Sequence, residues 1–305
     1  MKEKLLIVGG TGFIGFHLAK EGIKKGFEVY SISKNPPIDK RCLSEVVYIH
    51  LDLLNKENLS NYLENLEINY VVNSLGYVDH RLFKNGGDEV FQNHFSSTKN
   101  LINCLNKKNL KCFLHLGSSD EYGSNPSPQS EELRESPISP YSFAKVSISH
   151  MLQMLYRTED FPSAIFRLFL VYGPNQNKER FIPHIIKESL KNKDYLVSPG
   201  EQIRDFCYID DIVEAIFIAL NKKNIFGEII NVASGEPVKI NKVIKLVSKI
   251  LNKGKPILGG ISYRKNESMN LYASVKKAKT TLGWEPKTEL KKGLLETIKY
   301  FEDYE

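Results

Sequence analysis

The chain has no C-x-x-C pair and no cysteine–histidine cluster; Cys42, Cys104, Cys112 and Cys207 are far apart in sequence. This spacing disfavours a structural metal site and a disulfide framework, so no metal is expected and the thiols read as free in a reducing compartment. No apolar run approaches the roughly 18 residues that a membrane span requires. The N-terminus enters a strand-like segment without the layout of a secretory signal, so a cytoplasmic protein with no membrane partner is expected. A dense basic block is also missing. The net charge of +6 is scattered in pairs such as Lys24-Lys25 and Lys291-Lys292. That pattern disfavours nucleic acid as a partner and suits a small anionic ligand.

What is present is a chain of 305 residues, 41% hydrophobic and 26% charged. It is long enough to bury a sizeable core in one large or two modest domains. Its first half alternates strand and helix signals. Strands are expected at 4–8, 27–32, 46–51, 70–73, 112–117 and 164–170, and helices at 13–26, 57–66, 89–106 and from Tyr141 to 158. Strands separated by helices of this length point to an α/β fold with a doubly wound parallel sheet. Beyond Tyr172, glycine and proline punctuate shorter mixed elements. The expected division is a dinucleotide-binding domain over 1–172, joined by 206–233, and a smaller mixed α/β substrate lobe over 173–205 and 234–305.

Gly9-Gly10-Thr11-Gly12-Phe13-Ile14-Gly15 lies between the first strand and the first helix. Glycines there permit a tight turn and close approach of backbone to a pyrophosphate, which the helix N-terminus then faces. Binders of NAD commonly carry an acidic residue at the end of the second strand. Here that region reads Ser31-Ile32-Ser33-Lys34-Asn35. Ser33 and Lys34 suit a 2′-phosphate, so the expected cofactor is NADP, with NAD as the alternative. Asp52 and Leu53, after the third strand, are candidates for adenine contact, and Asp52 also reads as an ordinary turn aspartate.

Tyr141-Ser142-Phe143-Ala144-Lys145 opens a helix that Ser139 can cap, with Pro140 in its first position. Residues four apart share a helical face, so Tyr141 and Lys145 point into one space. An ammonium at ~4 Å attracts a phenolate by ~4 kcal/mol at an effective dielectric near 20, enough to ready the phenol for proton exchange. Gly117-Ser118-Ser119-Asp120-Glu121-Tyr122-Gly123 follows the fifth strand, at the edge where open α/β sheets bind ligands. Arg81, after the fourth strand, is a candidate for substrate contact or a solvated loop arginine.

With these motifs in order, the chain resembles the extended short-chain dehydrogenase/reductase family over nearly its whole length. Arg167-Leu168-Phe169-Leu170-Val171-Tyr172-Gly173-Pro174, Arg204-Asp205-Phe206-Cys207-Tyr208-Ile209-Asp210-Asp211 and Asn231-Val232-Ala233-Ser234-Gly235 are similar to further motifs of that family. The resemblance implies a Rossmann fold acting on a nucleoside-diphosphate sugar. It implies Tyr141 as acid/base, Lys145 on the nicotinamide ribose, and Ser118, with Ser119 as second choice, as the catalytic hydroxyl. Arg204 matches a diphosphate-gripping position and Asn93 a supporting asparagine. Helices 89–106 and 141–158 match those that pair in the dimers of related enzymes.

Dehydratases of the family resemble Thr-Asp-Glu-(Val/Leu)-Tyr-Gly, or the variant with Ser for Asp, which sets Asp120 at the glutamate position, one methylene short. Leu170 and Val171 also depart from the dehydratases' asparagines before Tyr-Gly-Pro. The segment at 117–123 looks closest to reductases of nucleotide-linked 4-keto-6-deoxy sugars. The expected reaction is therefore NADPH-dependent reduction at C4, with Tyr141 as proton donor. A 4-epimerase with tightly held NAD is the alternative, followed by a 4,6-dehydratase. A redox-inactive dinucleotide sensor is the non-enzymatic reading.

Overall fold

The computed structural model describes residues 2–263 and 267–304. In chain order the strands are β1 (Lys4–Val8), β2 (Glu28–Ser33), β3 (Val46–His50), β4 (Tyr70–Asn73), β5 (Cys112–Ser118), β6 (Ser163–Leu168), β7 (Leu170–Tyr172), β8 (Asp194–Val197), β9 (Ile203–Tyr208), β10 (Ile229–Val232), β11 (Pro237–Lys239), β12 (Lys255–Leu258) and β13 (Asn270–Leu271). The helices are α1 (Phe13–Lys24), α2 (Lys56–Leu63), α3 (Gly87–Cys104), α4 (Pro140–Glu159), α5 (Phe181–Leu190), α6 (Ile209–Leu220), α7 (Ile240–Leu251) and α8 (Leu290–Tyr304).

Seven parallel strands form the main sheet in the order β10-β6-β5-β4-β1-β2-β3. Alternate residues of each strand face opposite sides, so both faces must be apolar to be covered. In β1, Leu5 and Ile7 join the core that Leu18 of α1 and Ile212 and Ile216 of α6 complete. Leu6 and Val8 face the other way, against Leu59 and Leu63 of α2, Leu101 of α3, and Ile148 and Leu152 of α4. This is the doubly wound α/β arrangement expected from the sequence. Among the described residues no helix is long and apolar enough to cross a membrane.

The expected strand at 164–170 is two strands. β6 ends at Leu168, and the chain turns at Phe169, whose ring packs beside Tyr122 in a separate small core. β7 then leaves the main sheet and pairs in parallel with β9. β9 also takes β11 and β13, while β8 pairs with β12. The sheet around β9 continues from the end of β6 through β7, and Arg204 of β9 comes within electrostatic reach of Asp120 at the carboxyl edge of β5. The elements that bring residues to it are β1 with α1, the end of β4, the end of β5, and the first turns of α4.

Candidate active site

The glycine loop is closed by contacts that exclude side chains. Gly9 has φ +81°, and its carbonyl accepts from Gly12 N–H at 3.0 Å. A Cβ on Gly15 would lie 2.3 Å from that same carbonyl oxygen. Gly12 stands at the N-cap of α1 with no side-chain cap, so the first N–H groups of the helix are left for an outside acceptor. Arg41 crosses the loop: Nη1 donates to the Thr11 carbonyl at 3.3 Å and Nη2 to the carbonyl of Asn175. Its buried Nε has no hydrogen-bond partner among the described residues. A tight loop, an uncapped helix start and an arginine with an unspent donor fit a dinucleotide diphosphate. Phe13 and Ile14 pack back onto the core and hold α1 in place. Arg41 was not singled out in the sequence, because nothing in residues 35–45 announces that the chain returns to the loop.

The adenosine end departs from expectation. Ser33 is buried, and its Oγ accepts from Thr11 N–H at 3.4 Å, which ties β2 to the loop. Lys34 is exposed and forms a 2.9 Å ion pair with Asp52. The pairing holds the Asp52 carboxyl below its usual range, with help from Leu54 N–H. A carboxylate therefore stands beside the end of β2 after all, supplied by the segment after β3. A lysine already matched by a carboxylate offers less to a 2′-phosphate. The Leu53 side chain is buried among Leu59 and Leu63, which leaves its backbone to face the adenosine end.

At the carboxyl edge of β5, Ser118 caps a short 3-10 turn over Ser119–Tyr122, with its Oγ accepting from Asp120 N–H at 3.1 Å. The Ser118 side chain also stands near enough to the Tyr141 phenol to oppose its rise, whereas the neighbouring Ser119 is buried in the turn. Tyr141 sits in the first turn of α4, whose N-terminus Ser139 caps by accepting from Ser142 N–H at 3.1 Å; such a cap contributes about 1 kcal/mol. Glu121 anchors the turn from below. Its Oε1 accepts from Ser118 N–H at 2.9 Å, and its Oε2 accepts from Ser149 of α4 and Arg167 of β6, each at 2.9 Å.

Tyr141 and Lys145 lie on one buried face of α4, as their spacing requires. Their electrostatics differ from expectation. Burial and then the charge of Asp120 raise the Tyr141 phenol above its ordinary value, against the lowering effect of Ser118. Lys145 spends its ammonium elsewhere, donating to the carbonyls of Leu116 at 2.8 Å and Leu75 at 3.2 Å. Burial pushes Lys145 down to about 8. The resting site therefore holds a protonated phenol, able to donate a proton to a developing alkoxide.

Other expected residues are brought to the edge with partners of their own. Asp120 accepts from or pairs with His80 Nε2 at 2.7 Å, and the His80 ring lies 6.0 Å from that of Tyr141. Arg81 is engaged by Asp79 at 2.6 Å and, more loosely, by Glu89 at 3.7 Å. Arg204 is paired with Glu267, so a diphosphate there would have to share the guanidinium with that carboxylate. Asn93, half-buried, donates to the Tyr77 hydroxyl at 3.3 Å. The side chain packed against Tyr141 is its neighbour His94, with ring centroids 5.2 Å apart. Among the described residues no three His, Cys, Asp or Glu side chains are grouped to hold a metal.

Residues 5–233 match the model of the NAD dependent epimerase/dehydratase family. The chain is 28% identical to an uncharacterized UDP-glucose epimerase of Bacillus subtilis, over 97% of each chain. It is 27% identical to a UDP-N-acetyl-alpha-D-glucosaminuronate decarboxylase of Bacillus cytotoxicus, over 100% of this chain and 99% of the other. Among solved structures, it superposes with a TM-score of 0.88 on a UDP-glucuronic acid 4-epimerase of Bacillus cereus, determined with UDP-glucuronic acid and NAD. Identity is 29%, covering 99% of this chain and 100% of that one. These likenesses lend no support to the reductase reading or to NADP. They back the alternatives, a nucleotide-sugar epimerase or dehydratase, and NAD.

Proposed function

Since the chain belongs to the NAD dependent epimerase/dehydratase family, we propose that it interconverts two nucleoside-diphosphate sugars differing at C4, with NAD as cofactor. One observation carries this choice within the family. The edge of β5 presents the Ser118–Tyr141 hydroxyl pair and a single carboxylate, Asp120, which His80 already engages. Loss of water across C5 and C6 needs a base for one proton and an acid for the departing hydroxyl. Ser119 is buried in the turn and Glu121 is committed to Arg167, Ser149 and Ser118 N–H, so within residues 117–123 Asp120, one methylene shorter than the dehydratases' glutamate, is the carboxyl left for that work. Inversion at C4 needs proton traffic at O4 alone.

The glycine loop, Arg41 and Asp52 would hold the dinucleotide, with Lys145 toward its nicotinamide ribose. NAD would supply a hydride acceptor for the C4–H of the sugar and a positive charge that favours the phenolate. Tyr141, as that phenolate, would take the O4 proton and give it back to O4 once the hydride has returned to the other face of C4. Ser118 hydrogen-bonds the same oxygen throughout. The names of the relatives support a UDP-sugar as substrate. Arg204 would serve the diphosphate once Glu267 yields part of its guanidinium.

A homodimer through α3 and α4 belongs to this proposal. Phe91 stacks on both Phe95 and Phe143, and Phe143 is 53% exposed, leaving an aromatic surface across the two helices. Light scattering at twice the monomer mass checks it, and a monomer at micromolar concentration overturns it.

The function is tested by incubating the protein with UDP-glucose, UDP-galactose and the corresponding uronic acids, reading the sugar by proton NMR. Appearance of the C4 epimer without net NADH is expected. Formation of a 4-keto-6-deoxy product, or NADPH consumption with a 4-keto-6-deoxy sugar, would replace the epimerase by a dehydratase or a reductase.

A further inference from the structure

His94 is a buried imidazole packed against Tyr141, and its hydrogen bonds fix its state. Nδ1 faces the Val90 carbonyl at 2.7 Å, one helical turn earlier, which can only accept. Nδ1 therefore carries the proton, and Nε2 accepts from Tyr77 N–H at 3.3 Å. The ring stands edge-on to Tyr141. Gly76, beside Tyr77, is the residue the ring presses upon: a Cβ there would lie 2.6 Å from Nε2, and Gly76 has φ +134°. One residue further back, the Leu75 carbonyl accepts from the Lys145 ammonium at 3.2 Å. Leu75 N–H is tied in turn to Asn73 Oδ1 at 3.2 Å.

We propose that His94 is a positioning residue for Lys145: its neutral, Nδ1-protonated ring pins the Leu75–Tyr77 turn, and the turn presents the carbonyl that aims the ammonium. Leu116 supplies the other carbonyl from rigid β5, so the turn after β4 is the adjustable half of the clamp. A second cation so close to Lys145 would be unfavourable. Burial and Lys145 together hold His94 near 4 and so keep it neutral. The sequence resemblance singles out Asn93 and passes over its neighbour His94; Asn93 is half-buried and donates to the Tyr77 hydroxyl.

The inference uses the proposed function only for its kinetic readout. Imidazole 15N shifts of the intact protein at pH 7 should show the Nδ1–H tautomer, and the Tyr77 amide should be protected from hydrogen exchange. In His94→Leu, bulk is kept and the acceptor is lost. Tyr77 protection should fall, and kcat should drop about 10²-fold with KM for the sugar nucleotide within about twofold. His94→Gln sets an amide oxygen near the position of Nε2 and should recover most of both. An Nε2–H tautomer, an unchanged kcat in His94→Leu, or equal losses in the Leu and Gln variants would overturn the proposal. If the native protein has no epimerase activity, the proposed function fails, while the tautomer and the Tyr77 exchange still decide the role of His94.

Discussion

Arg167 Nε lies 2.9 Å from Glu121 Oε2, with both side chains wholly buried. The pair joins β6 to the turn after β5, and the other Glu121 oxygen holds Ser118 N–H. A second carboxylate, Glu135, shares the guanidinium, and the Tyr122 ring lies 4.5 Å beneath it. A buried charge left without its partner is costly. Glu121→Gln is therefore expected to lose about 3 kcal/mol or more of stability, read as a lower denaturation midpoint in urea. A midpoint within error of the native protein would show that Glu135 alone balances Arg167.

Tyr141→Phe removes the acid/base hydroxyl and leaves the ring against His94 and His80. Epimerisation should fall by 10²–10⁴-fold or more, the usual worth of a positioned proton donor. NAD binding, followed by protein fluorescence, should stay within about threefold because the glycine loop is untouched. Retained turnover would remove Tyr141 from the mechanism.

Lys145 makes stability depend on pH. Its folded value, about 8, lies below the ordinary 10.5. Between these values the unfolded chain binds the extra proton, so native stability rises with pH across that window. Lys145→Met lacks this term. The stability of the variant minus that of the native protein should be largest below pH 8 and shrink as pH approaches 10.5, by up to about 3 kcal/mol. The unpaired carbonyls of Leu75 and Leu116 add an offset that does not vary with pH. A difference that stays flat across the window would mean Lys145 is not depressed. The variant should be inactive throughout.

The Lys34–Asp52 pair sets an expectation for the cofactor. With Lys34 neutralised at 2.9 Å, NAD should bind at least about tenfold more tightly than NADP, a difference of about 1.4 kcal/mol. Asp52→Asn frees the ammonium and should narrow or reverse that ratio in competitive titrations. An unchanged ratio would mean that Lys34 does not face the ribose.

The sequence by itself determined the alternation of the first six strands and their helices, the glycine loop, and the shared face of Tyr141 and Lys145. Each follows from a local signal: short continuous apolar runs in strands covered on both faces, a 3.6-residue period in the helices, and glycine where a Cβ would meet the Gly9 carbonyl. The choice of partners was left to the tertiary structure. Consecutive helix residues point about 100° apart, so only the packing of α3 against α4 turns His94, and not Asn93, toward Tyr141. Lys34 reads as a phosphate ligand until β3 lies beside β2 and brings Asp52 to it. Lys145 was expected to lower the Tyr141 phenol, but two backbone carbonyls from β5 and the turn after β4 take its ammonium. Burial, which no spacing reveals, then raises the phenol and lowers the lysine. Charge and hydrogen-bond partners depend on which strands become neighbours, and that is decided by long-range pairing.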